Sequence, residues 1–201
     1  MAYRETVRIR ERKAAQRDAL LQAAEQLVRA GGFAALAIQS VAQRAGVSVG
    51  TVYRYFDNKE ALAVEVFERA SAREVAAVAQ AVAEPGPLVA RVREGVAVFA
   101  HRALRAPQLA WSLIAEPAEP GVDAARIEYR KAYAAVFESV LVEGVASGDL
   151  PQQDCALNAA ALVGALAEAL LGPLAADANE QHVIQHLQTF CLRAIGAGSH
   201  S

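Results

Sequence analysis

The sequence predicts an all-α protein, a small N-terminal three-helix head followed by a larger helical body, with about nine helices in total. Two observations carry this prediction. Alanine, the strongest intrinsic helix former, supplies 47 of the 201 residues, and apolar positions recur at three- and four-residue spacing with almost no β-branched run of strand length. Proline and glycine, in turn, cluster at intervals that cut the chain into pieces of helical length.

Taken in order, residues 8–30 read as a long first helix, with Leu20, Leu21, Ala24, Leu27 and Val28 on one face and Gly31-Gly32 as its stop. Two short helices, 38–44 and 48–55, flank Ala45-Gly46-Val47. Asp57-Asn58 caps the next helix, with Glu60 as the capping-box partner of Asp57, and its periodicity runs to about Ala83, where Pro85-Gly86-Pro87 ends it. Helices follow at 88–105, 108–115, 123–147, 154–175 and 180–195. Their separators are Pro107, the loop 116–121, the turn 148–151 and the stretch 177–179. Residues 196–201 read as a frayed tail. The expected boundary divides a head, residues 1–57, from a body, residues 58–201.

The whole-chain charge is −2, from 20 basic and 22 acidic side chains, which on average argues against a polyanionic partner. The average conceals a division. Residues 1–60 carry ten bases and six acids, +4, whereas the remaining residues carry ten bases and sixteen acids, −6. A basic head on an acidic body is a partner signal of its own.

Residues 38–56, IQSVAQRAGVSVGTVYRYF, have the spacing that two helices crossing steeply require. Ala42 is small at the crossing, Gly46 permits a positive φ in the turn, Val41, Val47 and Val52 fill the wedge, and Ser48 caps the second helix. With the Lys59-Glu60-Ala61-Leu62 that follows, the stretch SVAQRAGVSVGTVYRYFDNKEAL resembles the DNA-binding head of the tetracycline-repressor (TetR) family of bacterial transcriptional regulators. The resemblance covers the head; the body matches in length, helical content and the GVASGDLPQ break.

That resemblance implies a double-stranded DNA operator as partner, read by a helix in the major groove while flanking side chains hold phosphates. Thr51, Tyr53 and Lys59 are the implied phosphate contacts, and Gly50 lets the backbone approach DNA closely. Val49, Arg54 and Tyr55 are the candidate base readers, with Val49 suited to a thymine methyl; Gln39, Ser40, Arg44 and the capping Ser48 complete the set. Val52 and Phe56 read as wedge core. The run Arg4, Arg8, Arg10, Arg12, Lys13 and Arg17 reads either as an arm along the DNA or as a solvated tail and helix face.

One such head reads too few base pairs, so a homodimer on a symmetric operator is expected, with half-sites about 34–36 Å apart or more. The interface expected from the family lies on the last two helices, with Ala156, Ala160, Val163, Gly164, Ala167 and Leu171 as a small-residue face and Ile184, Leu187, Cys191 and Ala194 as a second stripe. The resemblance also implies a small-molecule effector bound inside the body, mainly apolar in character. Phe67, Phe99, Trp111, Ile114, Tyr129, Tyr133, Phe137 and Leu166 are the bulky candidates for its lining, and His101 and Glu168 the polar ones.

Other function classes find little in the sequence. An enzyme is not expected, since no phosphate loop or nucleophile elbow is present. His182 and His186 stand at i and i+4 without a third ligand, so neither metal nor cofactor is expected. Cys155 and Cys191 read as buried small hydrophobes in a reducing cytoplasm, with no leader preceding them. The apolar segment 159–176, interrupted by Glu168, reads as a buried helix rather than a membrane span. The alternative to a ligand-responsive repressor is a helical adaptor of the same fold that acts through protein partners.

Overall fold

In the computed structural model, residues 7–176 and 178–197 are described, and they form nine α-helices. The head comprises α1 (Val7–Gly31), α2 (Ile38–Arg44) and α3 (Val49–Tyr53), with a 3-10 turn at Phe33–Ala35. The rest are α4 (Lys59–Ala83), α5 (Leu88–Arg105), α6 (Pro107–Ile114), α7 (Pro120–Ser147), α8 (Cys155–Ala175) and α9 (Glu180–Ala194). The predicted all-α class and helix order are those observed.

The helices start where short polar side chains can satisfy orphan N–H groups. Ser48, Asn58, Asp154 and Asn179 each accept from a backbone N–H three residues on, at the starts of α3, α4, α8 and α9. Asn58 alone caps α4. Glu60 is not its capping-box partner, because its carboxylate instead accepts from Gly121 N at 2.8 Å, across to the start of α7. That helix begins three residues earlier than expected, since Pro120 fits the first helical position, where no N–H is needed.

Two apolar clusters organise the packing. The head cluster joins Leu20, Ala24 and Val28 of α1 to Val41, Val52 and Phe56, then continues into the first half of α4 through Leu62, Val66 and Phe67, and on to Leu109 and Val122. The body cluster is built from Val78 and Val82 of α4, Val92 and Val96 of α5, Phe137 and Leu141 of α7, Leu162, Leu166 and Leu170 of α8, and Cys191 of α9. The helix α4 therefore belongs to both.

Helix α8 is the one described helix long and apolar enough to cross a membrane, yet its hydrophobicity is spent on two sides. Ala159, Leu162, Val163, Leu166, Ala167 and Leu170 face the body core, while Ala156, Leu157, Ala160, Ala161 and Gly164 are exposed. The helix expected to be buried is thus buried along one side only. Cys191 is buried, and that burial pushes its thiol up to about 12; Cys155 is only partly covered. Arg4 and Asp177 lie outside the described residues. The bases from Arg8 to Arg17 sit on α1, so an extended arm does not include them.

Candidate functional site

The helix-turn-helix forms as its sterics require. Val41 and Val52 are fully buried at the crossing, Ala42 nearly so, and Val47 packs at the edge. Gly46 takes φ 66° in the turn, the left-handed region where a Cβ is penalised, although a Cβ there would meet nothing within 4 Å. The constraint is conformational rather than steric.

Around α3 the candidate contacts divide by what they already do. Ser48 Oγ accepts from Thr51 N at 3.2 Å and lies 3.0 Å from Thr51 Oγ1, so it caps the helix. Tyr55 donates its hydroxyl to Gln16 at 2.9 Å and ties the turn after α3 to α1. Arg44 reaches Gln26 at 3.2 Å from the exposed end of α2, beside exposed Gln39 and half-buried Ser40. The side chains of Tyr53, 52% exposed, and Arg54 make no hydrogen bond to any described residue, and they stand outward with Gly50 and half-buried Val49. Arg17 is turned away from this surface, paired with Glu65 and stacked 5.0 Å over the Phe56 ring.

Lys59 is not free on that surface. Its ammonium lies 2.7 Å from the Glu119 carboxylate at the start of α7. Partial burial pushes the Glu119 carboxyl up, but the Lys59 hydrogen bond, a backbone hydrogen bond and the Lys59 charge together outweigh this and hold it below the usual carboxylate range. The same junction carries a buried carboxylate: Glu116 accepts from Phe33 N at 2.9 Å and Ala34 N at 3.1 Å. Arg126 then donates to the Glu116 carbonyl at 2.7 Å and to the Leu113 carbonyl at 3.0 Å. None of these junction residues other than Lys59 was expected from sequence, since a loop glutamate carries no periodic signal.

Within the body, α4, α5, α6, α7 and α8 line a partly open cavity of about 80 Å³. Phe67, Phe99, Ile114, Tyr129 and Tyr133 line it as expected from their bulk. Phe137 and Leu166 do not, because both are fully buried in the body core. Trp111 is 39% exposed and points outward, and His101 pairs with Glu180 at the surface. Glu168 is exposed in an outer groove beside Ile127 and Arg130. Sequence reasoning missed Ser71, Glu74 and Arg102, polar side chains that line the cavity, and Arg126, which joins it to Glu116.

The expected dimer stripe splits in the same way. Val163, Ala167, Leu187 and Cys191 are buried in their own chain's core and are withdrawn from any surface. Ala156, Ala160, Gly164 and Ala194 are exposed, and Ile184 and Leu171 partly so. The exposed arc instead includes Leu157 at 64% and Phe190 at 53%, large apolar side chains outside the expected set. His182 and His186 stack at 4.0 Å on the exposed side of α9, where His186 Nδ1 lies 2.8 Å from the His182 carbonyl.

Comparison with known proteins fits this geometry. The sequence profile described as "Bacterial regulatory proteins, tetR family" matches residues 20–66, from α1 through the helix-turn-helix into α4. The head of this chain is thus of the tetR-family type. The HTH-type transcriptional repressor KstR of Rhodococcus jostii is 43% identical over 54 residues, 27% of this chain and 26% of that protein, so the match spans about a quarter of the curated relative. The tetR-family fold extends through the body. The fatty acid degradation regulator FadR of Bacillus halodurans superposes with a TM-score of 0.74 at 21% identity, covering 87% of this chain and 97% of that one. FadR of Bacillus subtilis, crystallised with stearoyl-CoA, gives 0.76 at 18%, covering 89% and 98%. Proteins of the tetR family are transcriptional regulators, not enzymes.

Proposed function

We propose that the chain is a ligand-responsive repressor in the cytoplasm that binds a pseudo-palindromic operator as a homodimer and is released by a small, mainly apolar effector in the body cavity. The observation that carries this reading is the line of direct bonds from cavity to head. Arg126 lines the cavity and donates to the Glu116 carbonyl, and the Glu116 carboxylate holds the Phe33 and Ala34 amides of the head.

The division of labour places recognition on residues 1–57 and sensing and dimerisation on residues 58–201. In the head, Val49, Arg54 and Tyr55 read bases, with Thr51, Tyr53 and Lys59 on phosphates and Gln39, Ser40 and Arg44 at the groove edge. In the body, the exposed arc of Leu157, Ala160, Ala161 and Gly164 with Phe190 and Ala194 of α9 meets its symmetry mate, because small residues let two such faces approach closely. That FadR of Bacillus subtilis was crystallised with stearoyl-CoA supports ligand binding by a body of this fold. At about 80 Å³ the cavity is small relative to the roughly 300–1,000 Å³ of drug-sized sites, so a bound effector pushes its walls apart. Coupling of this kind amounts to about 1–3 kcal/mol between sites.

Phe190→Glu tests the dimer requirement. Sedimentation should show a monomer whose operator affinity is lower by about 10²-fold or more, as expected when two linked heads become one. A monomer with undiminished operator affinity contradicts the reading.

A further inference from the structure

Ser71 stands apart from the other hydroxyls of the body helices. Ser112, Ser139, Ser147 and Thr189 return their hydroxyls to a carbonyl three or four residues back, at 2.8–3.2 Å, the usual arrangement within a helix. Ser71 is 3% exposed and lines the cavity, yet its hydroxyl makes no hydrogen bond to any described residue. Tyr133, across on α7, is partly buried, lines the cavity and has a phenol that bonds to no described residue. Neither oxygen is sealed off, since no wholly inaccessible side-chain polar atom lacks a partner among the described residues. Both residues line the cavity, and neither oxygen is wholly inaccessible.

Of the remaining polar lining, Glu74, Arg102 and Arg126 are already paired, whereas the Tyr129 hydroxyl bonds to no described residue and Arg130, exposed, makes one bond, to the Ile114 carbonyl at 3.3 Å. Glu74, one turn beyond Ser71, takes Arg102 in a two-bonded pair at 2.5 and 2.9 Å. Arg126 spends its donors on the Leu113, Ser112 and Glu116 carbonyls and on Asp123. A charged ligand that engages the Glu74–Arg102 pair or Arg126 has to open one of these sets, whereas a neutral one does not. The walls are aromatic on two sides: Phe67 meets Tyr129 edge-on at 5.8 Å, and Phe99 meets Tyr133 edge-on at 5.1 Å. An engineered apolar cavity of about 150 Å³ takes benzene, so a cavity of about 80 Å³ admits a single ring after a modest outward shift.

Building on the reading of this cavity as the effector site, we propose that it takes a neutral molecule of single-ring size bearing one hydroxyl or carbonyl oxygen. The oxygen is held by Ser71 Oγ and Tyr133 Oη, and the ring lies between the two aromatic pairs.

Calorimetric titration of the full chain with phenol, toluene, benzoate and stearoyl-CoA tests this. Phenol should bind about tenfold or more tightly than toluene or benzoate, because a site with hydrogen-bonding groups rejects analogues that leave them unpaired. Ser71→Ala and Tyr133→Phe should each weaken phenol about tenfold while leaving toluene within about twofold, which also shows that the cavity has kept its shape. Equal affinity for toluene and phenol, no phenol binding, or tighter benzoate binding that depends on Arg130 but not Ser71 each overturns the proposal. Operator affinity measured in parallel separates the two readings. Phenol binding with unchanged operator affinity contradicts the effector reading alone, whereas release by stearoyl-CoA without phenol binding contradicts the ligand class alone.

Discussion

The Glu116 carboxylate accepts the Phe33 amide at 2.9 Å, although the two residues lie in different parts of the fold, one in the loop before α7 and the other in the turn after α1. It accepts Ala34 N as well, so one buried side chain satisfies two amides of the 3-10 turn that precedes the helix-turn-helix. Glu116→Ala leaves both donors without their partner. Hydrogen bonds to a charged group are worth about 1.5–3 kcal/mol, and a loss of that order in urea denaturation is expected. In the same variant, the effect of effector on operator affinity should shrink, as read by fluorescence anisotropy with labelled operator.

Gly32 is the counterpart of that contact. Its φ of 73° and ψ of −174° fall in a region essentially confined to glycine, and a Cβ there would lie 2.5 Å from both Glu116 carboxylate oxygens. Gly32→Ala should cost about 1–3 kcal/mol from the backbone alone, with more from displacing the carboxylate. Because both variants disturb one contact, the double variant with Glu116→Ala should be less destabilised than the sum of the two, which a denaturation cycle measures directly.

Lys59 is shared between a proposed phosphate contact and Glu119. Lys59→Ala should weaken binding similarly on all DNA sequences and lower the slope of log affinity against log salt by about one. Glu119→Gln should do the reverse: with its partner neutralised, Lys59 is released to phosphate, and operator affinity rises at low salt. Val49→Ala should alter preference among operator sequences while leaving the salt slope unchanged.

The fold also has an acid-sensitive tie between α1 and α4. Burial pushes the Glu25 carboxyl up, but hydrogen bonds from Arg73 and Arg29 outweigh it and leave it below its ordinary value. A carboxylate lowered in the folded state contributes stability that is present above its unfolded value, about 4.3, and is lost as pH falls through the folded one. Denaturation midpoints should therefore fall between about pH 6 and about pH 3. Glu25→Gln should flatten that fall.

The helix order and the crossing of α2 and α3 were legible because their signals are local. Gly46 permits the turn, Ser48 caps, and Val41 and Val52 must be buried wherever the head sits. The cavity's polar wall was not legible. Glu74 and Arg102 read as ordinary surface charges on amphipathic helices, and only the packing of α4 against α5 pairs them. The dimer stripe failed in part for a related reason. On α8 nearly every position is small or apolar, so spacing alone cannot separate the inward arc of Val163 and Ala167 from the outward arc of Ala160 and Gly164. Phe190 and Leu157 were passed over because a large apolar side chain is ordinarily assigned to the core.

The central claim is that this chain recognises a particular DNA sequence through α3. The most direct measurement is the affinity of the purified full chain for its own upstream DNA against scrambled duplex of equal length, at about 0.15 M salt, where weak exposed electrostatic attraction is screened. A preference of about 10³-fold or more is predicted, as is typical of specific over non-specific binding. Tyr53→Ala should lower both affinities, and Arg54→Ala should reduce the preference itself. Equal affinity for the two duplexes would contradict the account.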